Sequence, residues 1–232
     1  MTSSRGDVKD VSRTLALRKS GRPSSDALQG DELREHVIAA ASVIYGEHGY
    51  RGTTIAKIAG AAGISRPLFY RLFKDRWDVL DIIIERANEE LLSATLVALS
   101  NTTDLFSMLN AGIDAYFDWC RNYGPVVGPL YQEIHDPESP ASKHHKTTIK
   151  RMRNLIIETT QLRNLPNYSP LVFETLQHTI EHVASTIFWP EAQPEKIISQ
   201  HRAILQRIVM ATLARPEDME QVPSIESILT DT

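Results

Sequence analysis

The chain has 232 residues, 42% hydrophobic and 23% charged, with a formal net charge of −4 at pH 7. This suits a globular protein with ample core, and no apolar run approaches the roughly 20 residues of a membrane-spanning helix. A single cysteine, Cys120, excludes an intrachain disulfide, and the polar start (Arg5, Asp7, Lys9, Asp10) carries no apolar signal segment, so a cytoplasmic location is expected. Charge is divided unevenly: residues 1–80 hold 13 Lys and Arg against 9 Asp and Glu, and residues 81–232 hold 12 against 20. A basic end on an acidic body suits a polyanionic partner met at one end only.

Residues 1–30 are rich in Ser, Gly, Lys and Arg and contain the breaker run Gly21-Arg22-Pro23, which predicts a flexible basic arm. Arg13, Arg18, Lys19 and Arg22 either follow phosphates, reach a minor groove, or stay solvated. A domain is expected over 31–76. Asp31 opens its first helix, with Leu33, Val37, Ala40, Ala41 and Ile44 on the inner stripe and Gly49 at the end. Thr53 or Thr54 caps a second helix, in which Ile55, Ile58, Ala59 and Ala62 recur at helical spacing. Gly63 supplies the left-handed residue that stops it. Ser65 caps a third helix, with Pro67 in its first turn. From Arg66 to Phe73, Leu68, Phe69, Leu72 and Phe73 point inward and Arg66, Pro67, Tyr70 and Arg71 outward. Two short helices joined through one glycine, the second basic and aromatic outside, make a helix-turn-helix.

A helical body is expected over 77–215. Asp75 caps a long fourth helix, with Trp77, Leu80, Ile84, Ala87, Leu91 and Thr95 on one face to about Leu99. A helix follows from Thr103 to Cys120, and the pairs Gly124-Pro125 and Gly128-Pro129 predict breaks. Leu130 to Ile134 forms a short segment, and Ser139 or Ser142 opens a helix to about Leu165. The last helices are expected over Leu171–Phe188 and Glu195–Ala214, with a tail over 216–232. The reading is all-α: a three-helix head and a larger ligand-binding and dimerisation body, about nine helices in all.

The run from Gly49 to Phe73, written G-Y-R-G-T-T-I-x-x-I-A-x-x-A-G-I-S-x-x-x-x-Y-x-x-F, with a basic residue next and Val79-Leu80 beyond, resembles the DNA-binding domain of the TetR family of bacterial transcription regulators. The likeness covers residues 31–85; beyond them only length and helical character agree. It implies a homodimeric regulator of a palindromic double-stranded DNA operator, most simply a repressor released by a small-molecule effector, with the last two helices pairing two copies. Tyr70 matches a tyrosine that the family uses on phosphate. Arg76 stands where most relatives have lysine, and Leu72 where they often carry a polar or aromatic residue.

Helix geometry points to the same surface. Thr54 opens the supporting helix, where amides and a hydroxyl can hold a phosphate. Ser65, Arg66 and Pro67 lie at the end of the recognition helix that meets base edges, and the Arg66 guanidinium can grip guanine O6 and N7 together. Tyr70, Arg71, Lys74 and Arg76 complete the expected contact set. In the body, Tyr116, Trp119, Tyr123, Tyr131, Phe173, Gln177 and His178 are candidates for an apolar effector cavity, with core packing as the alternative. His178 and His182 share a helix face, but no second ligand pair at metal spacing accompanies them, and no metal or cofactor is expected. No Gly-rich phosphate loop or nucleophile elbow suggests an enzyme. The alternatives are a protein-interaction adaptor, or a small-molecule-binding enzyme that happens to carry a helix-turn-helix.

Overall fold

The computed structural model describes residues 30–162, 168–189 and 191–224, together with 226 and 228; the predicted basic arm lies outside them. Among the described residues every regular element is helical: α1 (Asp31–Gly52), α2 (Ile55–Ala62), α3 (Arg66–Leu72), α4 (Arg76–Ser100), α5 (Leu105–Tyr123), α6 (Val127–Glu133), α7 (Pro140–Leu162), α8 (Pro170–Phe188) and α9 (Glu195–Leu213), with 3₁₀ turns at Gly124–Val126 and Pro216–Gln221. The chain divides into two compact units, and the division falls inside α4, after Ile83.

In the first unit, α1 packs on α2 and α2 on α3. Helical geometry in α1 breaks at Gly49 (φ 62°, ψ −177°), and one further turn reaches Gly52. That conformation is essentially open to glycine alone. The inner stripe of α1 is Leu33, Val37, Ile38, Ala41 and Tyr45, with Ala40 and Ile44 only half-buried. The i, i+4 row from Leu33 continues to the fully buried Tyr45 ring, so Ile44 falls to its side. The half-buried Trp77 lies beside the buried Tyr50 at 5.5 Å between ring centroids.

The second unit holds residues 84–232. Here α5 packs on α8 and α9, α8 lies against α6, α7 and α9, and the Trp119 indole N–H donates to the Ala87 carbonyl at 2.9 Å. Asp104 caps α5, accepting from the Ser107 amide (2.9 Å) and hydroxyl (2.6 Å), so the helix starts two residues later than expected at Thr103. Those bonds hold the Asp104 carboxyl below the usual carboxylate range. Arg202 pairs with Asp114 across α5 and α9, and Arg151 with Glu89 between α7 and α4.

Gly128-Pro129 does not break the chain as expected. Both residues sit in the first turn of α6, where a proline without an N–H loses no helical bond. Gly128 is needed for another reason: a Cβ there would lie 1.7 Å from Cδ1 of the Trp189 indole, which fills that space. Gly128→Ala is therefore expected to cost about 1–2 kcal/mol by overpacking, read as a lower denaturation midpoint at unchanged slope. Ser139, rather than Ser142, opens α7: its hydroxyl accepts from the Ala141 amide (3.2 Å) and donates to the buried Glu133 carboxylate (2.9 Å). The expected tail begins with an ordered turn over Pro216–Gln221.

Candidate nucleic-acid interface and effector cavity

The turn between α2 and α3 is built from three consecutive residues, Gly63, Ile64 and Ser65. Gly63 adopts the left-handed conformation (φ 68°). Its amide bonds the Gly60 carbonyl (3.3 Å), and the Ile64 amide bonds the Ala59 carbonyl (3.0 Å), which satisfies the last carbonyls of α2. Ser65 then caps α3 by accepting from the Leu68 amide at 3.3 Å, and Thr54 caps α2 by accepting from the Lys57 amide at 3.3 Å. His36 Nε2 lies 3.1 Å from the Ala62 carbonyl and ties α1 to this turn.

On α3, Phe69 is fully buried and its ring lies 5.4 Å from that of Phe73, itself buried; Arg34 stacks over Phe73 at 4.9 Å. Leu68 and Leu72 are half-buried. The opposite face is open: Thr54, Ser65, Arg66, Pro67, Tyr70, Arg71 and Lys74 are exposed, Tyr70 by 58%. Arg66 with Tyr70, and Pro67 with Arg71, are i, i+4 pairs and form adjacent rows on that face. The expected interface residues are thus brought together with one exception. Arg76 is half-buried, stacks over Trp77 at 4.5 Å, and donates from Nη1 to the carbonyls of Tyr50 (3.3 Å), Arg51 (3.5 Å) and Thr53 (3.0 Å). Its guanidinium caps the carbonyl end of α1, a function that one-letter resemblance to a basic surface residue does not reveal. Asp75 accepts from the Asp78 amide and Asp78 from the Lys74 amide, each at 3.0 Å, fixing the start of α4.

In the second unit a cavity of about 90 Å³, measured as space open to the centre of a water molecule, lies among α4, α5, α7, α8 and α9. At about 10–15 Å³ per water on that measure, it holds several waters or a modest apolar body. Its wall includes Thr95, Leu99, Met108, Met152 and Val209, and no charged side chain. Of the expected residues, Tyr116, Phe173 and Gln177 line it; the buried Gln177 Oε1 has no hydrogen-bond partner. A smaller cavity of about 30 Å³ shares Tyr116 and adds Trp119 and Tyr131. Tyr123 and His178 line neither. Tyr123 stacks outside Trp119 at 5.7 Å, where burial and the nearby Glu90 push its phenol up, and His178 is exposed. Gly112 in mid-α5 lines the larger cavity, where a Cβ would meet Leu99 only at 3.8 Å. Packing does not demand a glycine there; its effect is to leave room.

The smaller cavity, though mostly apolar, is the one with an acidic side chain in its wall. Glu181 is 7% exposed and its Oε2 lies 3.1 Å from His145 Nε2. The Tyr131 hydroxyl has no partner, and burial first, then the Glu181 charge, pushes its phenol well up. The same two causes, in the same order, push up the Cys120 thiol. Among the described residues no group of three His, Cys, Asp or Glu side chains comes together to hold a metal, and His182 is exposed like His178. No helix of the described residues is long and apolar enough to cross a membrane.

Residues 37–81 match the family model of bacterial regulatory proteins of the tetR family. A stretch of 120 residues is 30% identical to the HTH-type transcriptional activator FasR of Mycolicibacterium smegmatis, covering 50% of this chain and 55% of that protein. A shorter match, 38% over 55 residues, is to the HTH-type transcriptional regulator HbdR of an Aromatoleum species, 24% of each chain. The matches thus span about half and a quarter of the lengths of these two relatives. Among solved structures, a tetR-family transcriptional regulator from Streptomyces coelicolor superposes with a TM-score of 0.65 at 21% identity, over 88% of this chain and 91% of that one. The regulator FadR from Bacillus subtilis, in complex with stearoyl-CoA, gives 0.63 at 15% identity over 78% and 97%.

Proposed function

Because the amino-terminal domain belongs to the TetR family of bacterial regulatory proteins, we propose that this chain is a homodimeric, cytoplasmic regulator of transcription that binds a palindromic operator and leaves it when a small molecule occupies the body. The observation that carries the reading is the exposed face of α3 (Arg66, Pro67, Tyr70 and Arg71) with Lys74 in the turn beyond it, set on a buried Phe69–Phe73 base and held by two capped helices. Arg66 reads a base edge; Thr54, Tyr70, Arg71 and Lys74 hold phosphates. Ser65 and Pro67 set the helix end against the groove, and Arg76 supports the head from behind by closing α1. Two copies pair through α8 and α9. The apolar residues of these helices divide: Leu176, Ile187, Ile198, Leu205 and Leu213 serve the chain's own core, while Leu171, Ile208 and the half-buried Val172, Val183 and Ile204 remain for a partner.

The effector's apolar body occupies the larger cavity, whose uncharged wall suits an alkyl chain. That FadR is seen with stearoyl-CoA supports a ligand with an apolar chain and a polar end. Effector binding weakens operator affinity only by favouring a state that binds DNA less well, so the two ligands oppose each other reciprocally. One observation favours a second sign of control: FasR is an activator.

The test begins with DNA selected from a random pool by the purified protein. Straight-chain amphiphiles are then expected to release the selected duplex, and Gly112→Leu, which fills the cavity, to keep DNA affinity while losing the release. Transcription in vitro from the selected site reads the sign. Salt-driven binding without sequence preference would defeat the regulator reading.

A further inference from the structure

Three buried side-chain atoms lack a hydrogen-bond partner among the described residues, Asn110 Oδ1, Tyr131 OH and Gln177 Oε1, and two of the three belong to cavity walls. Buried polar groups are otherwise almost always satisfied, so an orphan on a cavity wall marks where an occupant or a trapped water supplies the missing bond; Tyr131 OH belongs to the smaller cavity and Gln177 Oε1 to the larger. Tyr116 lines both cavities. They differ in chemistry. The larger is uncharged and mostly apolar, with Thr95 and Gln177 among its few polar side chains; the smaller sets Asn88, Tyr131, His145, Thr148 and the buried Glu181 into an otherwise apolar wall. No Lys or Arg lines either one.

We propose that the two cavities form one bipartite effector site, in which an apolar chain fills the larger part and a head group that donates hydrogen bonds, a hydroxyl, amide or ammonium, sits in the smaller part between Tyr131 and Glu181. The inference rests on the cavity being the effector site and names the class of effector. The buried Glu181 has His145, 3.1 Å from its Oε2, as its one described partner, so Oε1 remains to accept from an occupant. A donating head complements it. A carboxylate head instead places like charge beside Glu181 with no Lys or Arg in the wall to offset it, and the site disfavours it. The Tyr131 phenol, kept protonated by burial, accepts from an ammonium or both gives to and takes from a hydroxyl. At about 30 Å³ the smaller part admits a small head only. The free fatty acid is thus disfavoured, although its chain fits.

Octanol, octylamine and octanoate share one chain and differ only at the head, so their affinities for the DNA-free protein test the proposal by calorimetry. Octanol and octylamine are expected to bind on the order of 10-fold or more tighter than octanoate. Glu181→Gln erases most of that gap, and Tyr131→Phe, which preserves the ring, weakens octanol by roughly 3- to 10-fold. Unchanged helical circular dichroism certifies the fold of both variants, and the wild-type ranking stands without them. Equal or tighter binding of octanoate, a gap that survives Glu181→Gln, or no binding of any probe (solvent alone in the cavity) overturns the proposal. Operator binding by the ligand-free protein is measured separately, so a failure of the regulator reading leaves a different signature.

Discussion

Arg66→Ala is expected to lower affinity for the selected operator by roughly 1–3 kcal/mol per recognition helix, and about twice that for a dimer, while affinity for random duplex falls far less. The prediction follows from where the side chain stands: exposed, at the amino end of α3, with the helix's anchoring rings turned the other way. A guanidinium that pairs with one guanine discriminates among bases, so the loss concentrates at one position of each half-site. Lys74→Ala provides the contrast. A phosphate partner contributes alike on every sequence, and its loss flattens the slope of affinity against salt by about one counterion per head. Competition titrations of both variants against operator and random DNA decide the matter. Equal losses on the two duplexes for Arg66→Ala would remove it from base readout.

Phe69→Ala is expected to act on the fold of the head itself. The ring is fully buried and lies between Phe73 at 5.4 Å and Tyr70 at 5.8 Å. Large-to-small substitution of a buried phenylalanine costs about 3–5 kcal/mol, which rivals the whole stability of a unit this small. Amides in residues 31–83 are therefore expected to lose protection from hydrogen exchange, and operator and random DNA to be lost together. Amide protection in the second unit is expected to persist. A head that stays protected after the substitution would contradict the packing described.

The head was legible in the sequence because its signals are local. Gly63, Ser65 and Thr54 each announce a helix end through their own chemistry, and each is found performing it. The long helices were legible from apolar spacing, to within a residue or two at Arg76, Pro170 and Glu195. The contents of the body were less so. Helical spacing separates inside from outside, and does not say which inward residues line a void: Tyr116, Phe173 and Gln177 do, whereas Phe117 packs edge-on against Phe188. Aromatic residues are conspicuous in one dimension, yet most of the larger cavity is aliphatic, and Met108, Met152 and Val209 look there like any core residue. Gly112, a glycine in mid-helix without a turn to make, is a sequence signal for the void. Arg76 shows the same limit for charge, since three carbonyls from residues far back in the chain decide its task.

Cys120 is 1% exposed, and burial holds its thiol away from the reactive thiolate form. The natural chain is therefore already quiet toward maleimides. One cysteine added on the open side of α1, at Glu47 for instance, takes a single fluorophore per copy without removing the native residue. In the proposed dimer, energy transfer between two such dyes would follow the spacing of the heads as octanol or operator is added.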